Sequence, residues 1–317
     1  LLGVCRDRLG ILTPLFSKQN RLAQAKATSA WCSLACVSRE IPMTEKFIQA
    51  PPGLPALDPI AAAHCRQVAA HLQDLIAQQG GTLGFSEFME HALYAPGLGY
   101  YSAGAAKFGA QGDFVTAPEL SALFSRCLAR QAAQVLSELD GQGVILELGA
   151  GSGIMAADML SELQQLNCLP QHYYILERSA ELRQRQQHTL SQRLPAEVYA
   201  RVIWLEQLPA AASIRGFIVA NEVLDALPVE RLHLLDQQPQ RLAVSYQAEA
   251  QQFVWTTQAA DAPLLQAWQT IRDSLPWSLS DGYRTEYCPS LDGWMAALSR
   301  VLAQGVILLI DYGYPRR

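Results

Sequence analysis

The sequence predicts an α/β fold in which a parallel sheet is covered by crossover helices. Half of the 317 residues are hydrophobic, which suffices for one large domain with an extension. Apolar stretches typical of buried strands alternate with segments of helical pattern, and this alternation favours parallel strands joined by crossover connections. The predicted core strands are 144–148, 173–177, 201–206, 216–222 and 306–312.

The first 42 residues differ in composition from the rest of the chain. They contain six Lys or Arg residues, two acidic residues and three of the seven cysteines, and the first methionine of the chain is Met43. They fit either an organelle transit peptide or upstream sequence translated in frame. The second is favoured because a transit peptide should itself begin with Met. We expect residues 1–42 to be a non-native or disordered leader outside the fold.

Residues 43–140 predict a cap of helices and loops that precedes the sheet. After a Pro-rich lead-in, a helix begins at Pro59, carries apolar residues on one face and ends at Gly80 and Gly81. A short helix, a Gly-rich loop and a helix from about 118 to 139 follow. This part of the sequence has no strand pattern, so we expect no sheet in it.

An insertion interrupts the alternation of strands and helices after residue 228. Residues 229–260 contain three strand-like stretches joined by Gln-rich turns, which predict an antiparallel β-ribbon, and a helix is expected at 262–275. A helix at 290–303 then leads to the last core strand. The predicted regions are thus the cap, a core of 141–228 and 286–317, and an inserted, substrate-facing region of 229–285.

Charge, hydropathy and cysteine usage argue against several classes of protein. The net charge of −5 argues against a nucleic-acid scaffold, which normally carries a basic patch. No apolar run approaches the roughly 18 residues of a membrane helix, so we expect no membrane insertion. The seven cysteines form no CxxC pair or other metal-ligand spacing and the six histidines are scattered, so no metal is expected. The cysteine pattern favours a reducing, cytoplasmic environment.

The turn after the first core strand carries the strongest chemical signal in the sequence. Glycines alternate along it in the stretch VILELGAGSGI, residues 144–154, where a predicted helix begins. A dinucleotide turn would need a further glycine at Ile154, and the patterns of a nucleophile elbow and a phosphate loop are also absent. The remaining common ligand of such a turn is S-adenosylmethionine. In that interpretation an acid at the end of the second strand accepts hydrogen bonds from the ribose hydroxyls. The predicted cofactor residues here are Glu147, Gly149, Ala150, Gly151, Gly153 and Glu177.

Six motifs occur in the order seen in one protein family. They are LGFSEFMEHALYAPGLGYYS, GDFVTAPELS, ILELGAGSG, NEVLDALPV, GYRTEYCP and IDYGY. Over about residues 60–312, the chain resembles the mitochondrial dysfunction protein A family of class I (Rossmann-like) S-adenosylmethionine-dependent methyltransferases. The resemblance implies S-adenosyl-L-methionine as the cofactor. Because mitochondrial members are complex I assembly factors, it also implies methylation of an arginine in a respiratory complex I subunit.

The resemblance further implies a bacterial member located in the cytoplasm, with the mitochondrial matrix as the alternative. The class I sheet has seven strands, whereas only GYPRR follows the fifth predicted strand, VILLIDY, in this sequence. We therefore expect the C-terminal strands to be missing from this chain and the fifth strand to expose an apolar edge.

The segment GDFVTAPE, residues 112–119, is a second candidate for contact with the cofactor. By the resemblance, Asp113, Thr116 and Pro118 would line that site. The alternative is structural, because Thr116 or Pro118 can simply begin a helix.

The segment NEVLDALP, residues 221–228, is the candidate acceptor site, because it follows the fourth core strand at the substrate-facing edge of this fold. Asn221, Glu222 and Asp225 supply amide and carboxylate groups there. Paired carboxylates can bind a guanidinium in a bidentate manner and take its proton. The alternative is that Asp225 only caps or solvates the turn.

The sequence thus predicts an S-adenosylmethionine-dependent methyltransferase, and the resemblance implies that it acts on an arginine of a protein partner. Two alternatives remain open: a methyltransferase for a small molecule, and an assembly chaperone that binds S-adenosylmethionine without turnover. The oligomeric state is left open, with a homodimer among the alternatives.

Overall fold

The computed structural model describes residues 59–102 and 116–312. The predicted leader and the loop segment that contains Asp113 lie outside the described residues. In chain order the first elements are helix α1 (Pro59–Gln78), strand β1 (Thr82–Gly84) and helices α2 (Phe85–Tyr94), α3 (Ala117–Leu120) and α4 (Ala122–Ser137). As the sequence predicted, α1 buries one apolar face and ends just before Gly80 and Gly81, whose φ angles are 78° and 97°.

The single helix predicted at 118–139 is instead two helices, α3 and α4, which are separated at Ser121. Ser121 has extended backbone angles, φ −162° and ψ 132°. Its hydroxyl accepts a hydrogen bond from Leu123 N at 3.2 Å and so caps α4. A serine favours such a break because its hydroxyl can accept a hydrogen bond from an N–H group at the start of a helix. The hydrophobic period of the segment does not reveal the break.

The elements of the core follow. They are β2 (Val144–Leu148), α5 (Ile154–Gln165), β3 (Tyr173–Leu176), α6 (Ala180–Arg193), α7 (Ala196–Tyr199), β4 (Val202–Leu205) and β5 (Ile214–Asn221). After a 3₁₀ turn at Leu224–Ala226 come β6 (Glu230–Leu235), β7 (Gln238–Gln247), β8 (Gln252–Ala259), α8 (Ala262–Asp273), β9 (Arg284–Tyr287), α9 (Leu291–Val301) and β10 (Leu302–Ile310).

The core sheet has five parallel strands in the order β10–β5–β2–β3–β4. The predicted α/β fold with a parallel sheet and crossover helices is confirmed. Both faces of the sheet are covered, because residues of β2 point alternately toward two apolar clusters. Ile145 packs with α4, α5 and α6, whereas Leu146 packs with α9. This two-sided burial explains the uninterrupted apolar runs of the core strands.

A second, antiparallel sheet contains the predicted ribbon. Strand β7 pairs with β6 and β8, and β6 also pairs with β9. The expectation that the cap lacks a strand is wrong, because β1 pairs antiparallel with β7, with Leu83 opposite Val244. A strand of three residues is too short to show a period of two. The division of the chain into cap, core and inserted region stays a prediction, and β9 crosses its boundary at 285/286.

The described helices include none that is long and apolar enough to cross a membrane.

Candidate functional site

The glycine turn between β2 and α5 has a backbone that requires glycine. Gly149, Gly151 and Gly153 have φ angles of 66°, 53° and 84°, in the left-handed region that side chains with a Cβ disfavour. A Cβ on Gly149 would lie 3.1 Å from Cγ2 of Val223, and a Cβ on Gly153 would lie 3.1 Å from Cα of Gln186. The turn therefore packs closely between the loop after β5 and helix α6.

The neighbouring residues of this turn are also fixed in place. Ala150 is buried, and its carbonyl accepts a hydrogen bond from Gly153 N at 2.8 Å. The hydroxyl of Ser152 accepts a hydrogen bond from Ile154 N at 3.3 Å, at the start of α5. The same hydroxyl donates a short hydrogen bond to the Glu119 carboxylate, which connects α3 to the turn.

Glu147 is an acid in the interior of the sheet, just before the glycine turn. Its side chain is 1% exposed and its Oε2 accepts a hydrogen bond from the Tyr173 hydroxyl at 2.7 Å. Burial raises the pKa of Glu147 to about 7; the bond from Tyr173 opposes the rise, and the charge of Glu177 adds to it. A cationic group of a ligand placed beside Glu147 would favour its ionised form and so offset this rise.

Glu177 directly follows β3, at the same edge of the sheet. Its Oε1 accepts a hydrogen bond from Ser179 N at 2.9 Å, and its Oε2 accepts one from Gln186 Nε2 at 3.0 Å. Burial raises the pKa of Glu177, and these two hydrogen bonds oppose the rise. Each carboxylate oxygen keeps a further lone pair, with which it can accept a hydrogen bond from a hydroxyl group.

Gln186 is a site residue that the sequence analysis missed. It is fully buried, and its Nε2 donates to the carbonyl of Gly151 at 3.1 Å as well as to Glu177. Its Oε1 accepts from Trp204 Nε1 at 3.0 Å. A signal for it was present, because Gln186 lies four residues from each of the buried Leu182 and Leu190 on α6. A glutamine on an apolar helical face needs buried partners.

The short helix α3 holds the described part of the GDFVTAPE segment next to the site. Thr116 occupies its N-cap position without a side-chain hydrogen bond to the helix, and Pro118 is buried in its first turn. Both residues thus begin the helix, as the structural alternative expected. Contact of Thr116 and Pro118 with a cofactor stays a prediction.

Glu222, directly after β5, has a backbone φ of 51°, which is rare for a residue with a Cβ. Its carboxylate accepts hydrogen bonds from Ala117 N and from the side chain of Asn221, the last residue of β5. Burial raises the pKa of Glu222 to about 7, and the charges of Asp225 and Asp311 add to the rise. A carboxyl of this pKa exchanges its proton readily near neutral pH.

Asp225 lies in the 3₁₀ turn and completes an acidic cluster with Glu222 and Asp311. The Tyr312 hydroxyl donates a short hydrogen bond to Oδ2 of Asp225. Burial raises the pKa of Asp225, the bond from Tyr312 opposes this, and the nearby charge of Asp311 adds to it. Asp311 follows β10 within the IDYGY motif, and its place in this cluster was not predicted from the sequence.

The structure brings the predicted acceptor residues next to the glycine turn. The acceptor segment follows β5 and the glycine turn follows β2, so both lie at the carboxyl ends of neighbouring parallel strands. Val223 of the acceptor segment fills the space beside Gly149. In a parallel α/β sheet this edge is where ligands bind. The arrangement offers a close backbone approach for one ligand and an adjacent negative cluster for a second, cationic one. Within the described residues, no group of three or more His, Cys, Asp or Glu side chains is arranged to hold a metal ion.

The chain is similar to known methyltransferases. Residues 127–317 match the family model described as "Putative S-adenosyl-L-methionine-dependent methyltransferase". A COG1565 superfamily member from Burkholderia thailandensis, in a crystal structure with S-adenosyl-homocysteine, is 39% identical. It superimposes with a TM-score of 0.75 over 83% of this chain and 66% of that one. This match confirms the predicted fold class.

Curated relatives are more distant. The mitochondrial protein arginine methyltransferase NDUFAF7 of Homo sapiens is 26% identical over 74% of this chain and 56% of its own length. The Caenorhabditis elegans homologue is 27% identical over 51% of this chain and 43% of its own. The chain therefore spans about half the length of the curated relatives it matches. Together with the family model, these matches confirm the resemblance found in the sequence, and the chain belongs to this family of S-adenosyl-L-methionine-dependent methyltransferases.

Proposed function

We propose that the protein transfers the methyl group of S-adenosyl-L-methionine to a guanidinium nitrogen of an arginine in a protein acceptor. The observation that carries this proposal is the acidic cluster of Glu222, Asp225 and Asp311 beside the glycine turn. A cluster of three carboxyls favours a cationic acceptor over a neutral one. The curated relatives support the same acceptor, because they are named protein arginine methyltransferases.

The residues of the glycine turn fit the cofactor. The glycines adopt positive φ angles and carry no side chain, so the backbone of the turn can approach a ligand closely. In this proposal Glu147 provides negative charge toward the cofactor's ammonium group, and Glu177 accepts hydrogen bonds from the ribose hydroxyls. S-adenosyl-L-methionine supplies a methyl group that its sulfonium already activates.

The acceptor presents the harder problem. A guanidinium has a pKa above about 12, so leaving it deprotonated at pH 7 would cost roughly 7 kcal/mol. In the proposal Glu222 and Asp225 orient the guanidinium in the attacking position. Glu222 then accepts the proton that the nitrogen loses when it is methylated. Its pKa of about 7 makes it a better base than an ordinary glutamate.

The experiment is methyl transfer from S-adenosyl-L-methionine with a tritiated methyl group. The full chain is incubated with a protein extract of cells that lack the gene, and labelled proteins are digested and analysed by mass spectrometry for methylarginine. Methylarginine that is absent without the enzyme supports the proposal. Label found only in small molecules would establish the small-molecule alternative instead. Cofactor binding in calorimetry without any transfer would favour the assembly chaperone.

Respiratory complex I as the source of the acceptor belongs to this proposal as well, on the evidence of family resemblance. A cytoplasmic location, the mitochondrial matrix as its alternative, and a homodimer stay predictions.

A further inference from the structure

The 3₁₀ turn that carries Asp225 has little to hold it by itself. It is three residues long, Leu224–Ala226, and its internal bond runs from Leu227 N to the Leu224 carbonyl at 3.1 Å. Val223 occupies its N-cap position and offers no side-chain hydrogen bond. The first N–H groups of a helical turn lack partners within it and need acceptors from elsewhere.

Asp311, 87 residues further along the chain, supplies those acceptors. Its Oδ2 accepts hydrogen bonds from Leu224 N and from Asp225 N, both at 3.1 Å. Its Oδ1 accepts from Tyr312 N at 2.9 Å, which orients the carboxylate at the end of β10. Asp311 thus caps this turn as an N-cap side chain caps an ordinary helix, although it lies at the end of β10 and not next to the turn in the sequence.

Tyr94 holds the other end of the turn from the cap. Its hydroxyl donates to the Ala226 carbonyl at 2.7 Å. Its ring stacks on Tyr101, with centroids 5.4 Å apart and planes 24° from parallel, so the hydroxyl is held in one direction. The turn is therefore bound on one side by the last core strand and on the other by α2.

We infer that Asp311 and Tyr94 are positioning residues, which hold the turn so that Asp225 is presented beside Glu222 to the methyl acceptor. The purpose of this arrangement rests on the proposed function. The two contacts themselves do not, and they can be tested without any acceptor.

The direct test measures amide hydrogen exchange of the peptides covering residues 222–227 in the full chain. Asp311→Ala removes both acceptors, so exchange at Leu224 and Asp225 should accelerate roughly tenfold or more, because each lost bond is to a charged group. Asp311→Asn keeps one carbonyl oxygen that can accept both N–H groups, so it should restore most of the protection. Tyr94→Phe keeps the ring and removes only the bond to Ala226. It should accelerate exchange at the end of the turn.

Two controls separate a positioning role from general damage. Asp74→Ala changes the same residue type at an exposed position of α1 and should leave exchange in 222–227 as in the wild type. Calorimetry with S-adenosyl-homocysteine should give Asp311→Ala a dissociation constant within about threefold of the wild type, since the cofactor residues lie on β2 and β3. A large loss of affinity would mean that the substitution disturbs the whole edge of the sheet, which would overturn the inference.

The functional arm uses tritiated methyl transfer into the protein extract described above. Asp311→Ala should lower turnover by on the order of tenfold or more, and Asp311→Asn should recover most of it. Unchanged exchange in Asp311→Ala would refute the contacts. Faster exchange with wild-type turnover would refute the positioning role. If no methyl transfer is found for the wild type, the proposed function fails while the exchange result still decides whether Asp311 holds the turn.

Discussion

Glu147 allows a test of how burial controls the site, through the substitution Glu147→Gln. Glutamine keeps the volume and an acceptor for the Tyr173 hydroxyl, but it cannot ionise. The pKa of Glu147 rises from an ordinary value of 4.5 to about 7 on folding. This rise corresponds to roughly 3 kcal/mol of free energy of unfolding.

The sign follows from which state loses its proton first. Because the folded pKa of Glu147 is the higher one, the unfolded chain ionises first, and ionisation favours unfolding. The wild type therefore loses this stability as the pH rises from about 4.5 to about 7, and the loss is complete above that range. Glu147→Gln has no such loss. Its free energy of unfolding relative to the wild type should increase by roughly 3 kcal/mol between pH 4 and pH 8.

The assay is urea denaturation of both proteins without cofactor at several pH values between 4 and 8. An unpaired amide hydrogen of the buried glutamine costs the same free energy at each pH. The quantity to compare is therefore how the difference in free energy of unfolding between variant and wild type changes with pH. Calorimetry should show that the variant binds S-adenosyl-homocysteine about tenfold or more weakly, because a charge-assisted contact is lost. A variant whose relative stability is flat or falls with rising pH would show that Glu147 is ionised at no cost in the folded protein.

Four further predictions concern the same site. Glu222→Gln should lower turnover in methyl-transfer kinetics by on the order of 10²-fold, while calorimetry should show nearly unchanged affinity for S-adenosyl-homocysteine. Normal turnover of this variant would show that Glu222 is not a catalytic residue. Turnover of the wild type should rise with pH through about 7 as Glu222 loses its proton, and Asp311→Asn should move that rise to lower pH because a neighbouring negative charge is removed. Gly151→Val should abolish S-adenosyl-homocysteine binding, since its φ of 53° excludes a branched side chain, whereas Gly293→Val in open space on α9 should bind normally. Glu177→Ala should weaken binding in the same titration by roughly 1–3 kcal/mol, and an effect within error would mean that another acid serves the ribose.

Short-range sequence patterns predicted most of the core. The run VILEL reads as a buried strand because both faces of β2 are covered, so every position favours an apolar residue except Glu147. The glycines of the next turn are recognisable for a similarly local reason. The backbone angles they adopt are accessible to glycine and costly for other residues.

The sequence was less informative where an element depends on a distant partner. Strand β1 is three residues long and exists because its backbone pairs with β7, about 160 residues later in the chain. The break between α3 and α4 depends on one serine hydroxyl replacing a helical bond. Neither feature alters the hydrophobic period of its segment, so neither was predicted.

The sequence by itself determined the alternation of strands and helices, the turn that brings backbone to a ligand, and the acids placed at strand ends. These features depend on backbone sterics and on the spacing of apolar residues, both of which are determined by residues close together in the sequence. Only the tertiary structure decided that Gln186 links Glu177 to the glycine turn, and that Asp311 holds the turn carrying Asp225. Those hydrogen bonds join residues up to 87 positions apart, and a polar side chain shows no partner until the fold places one beside it.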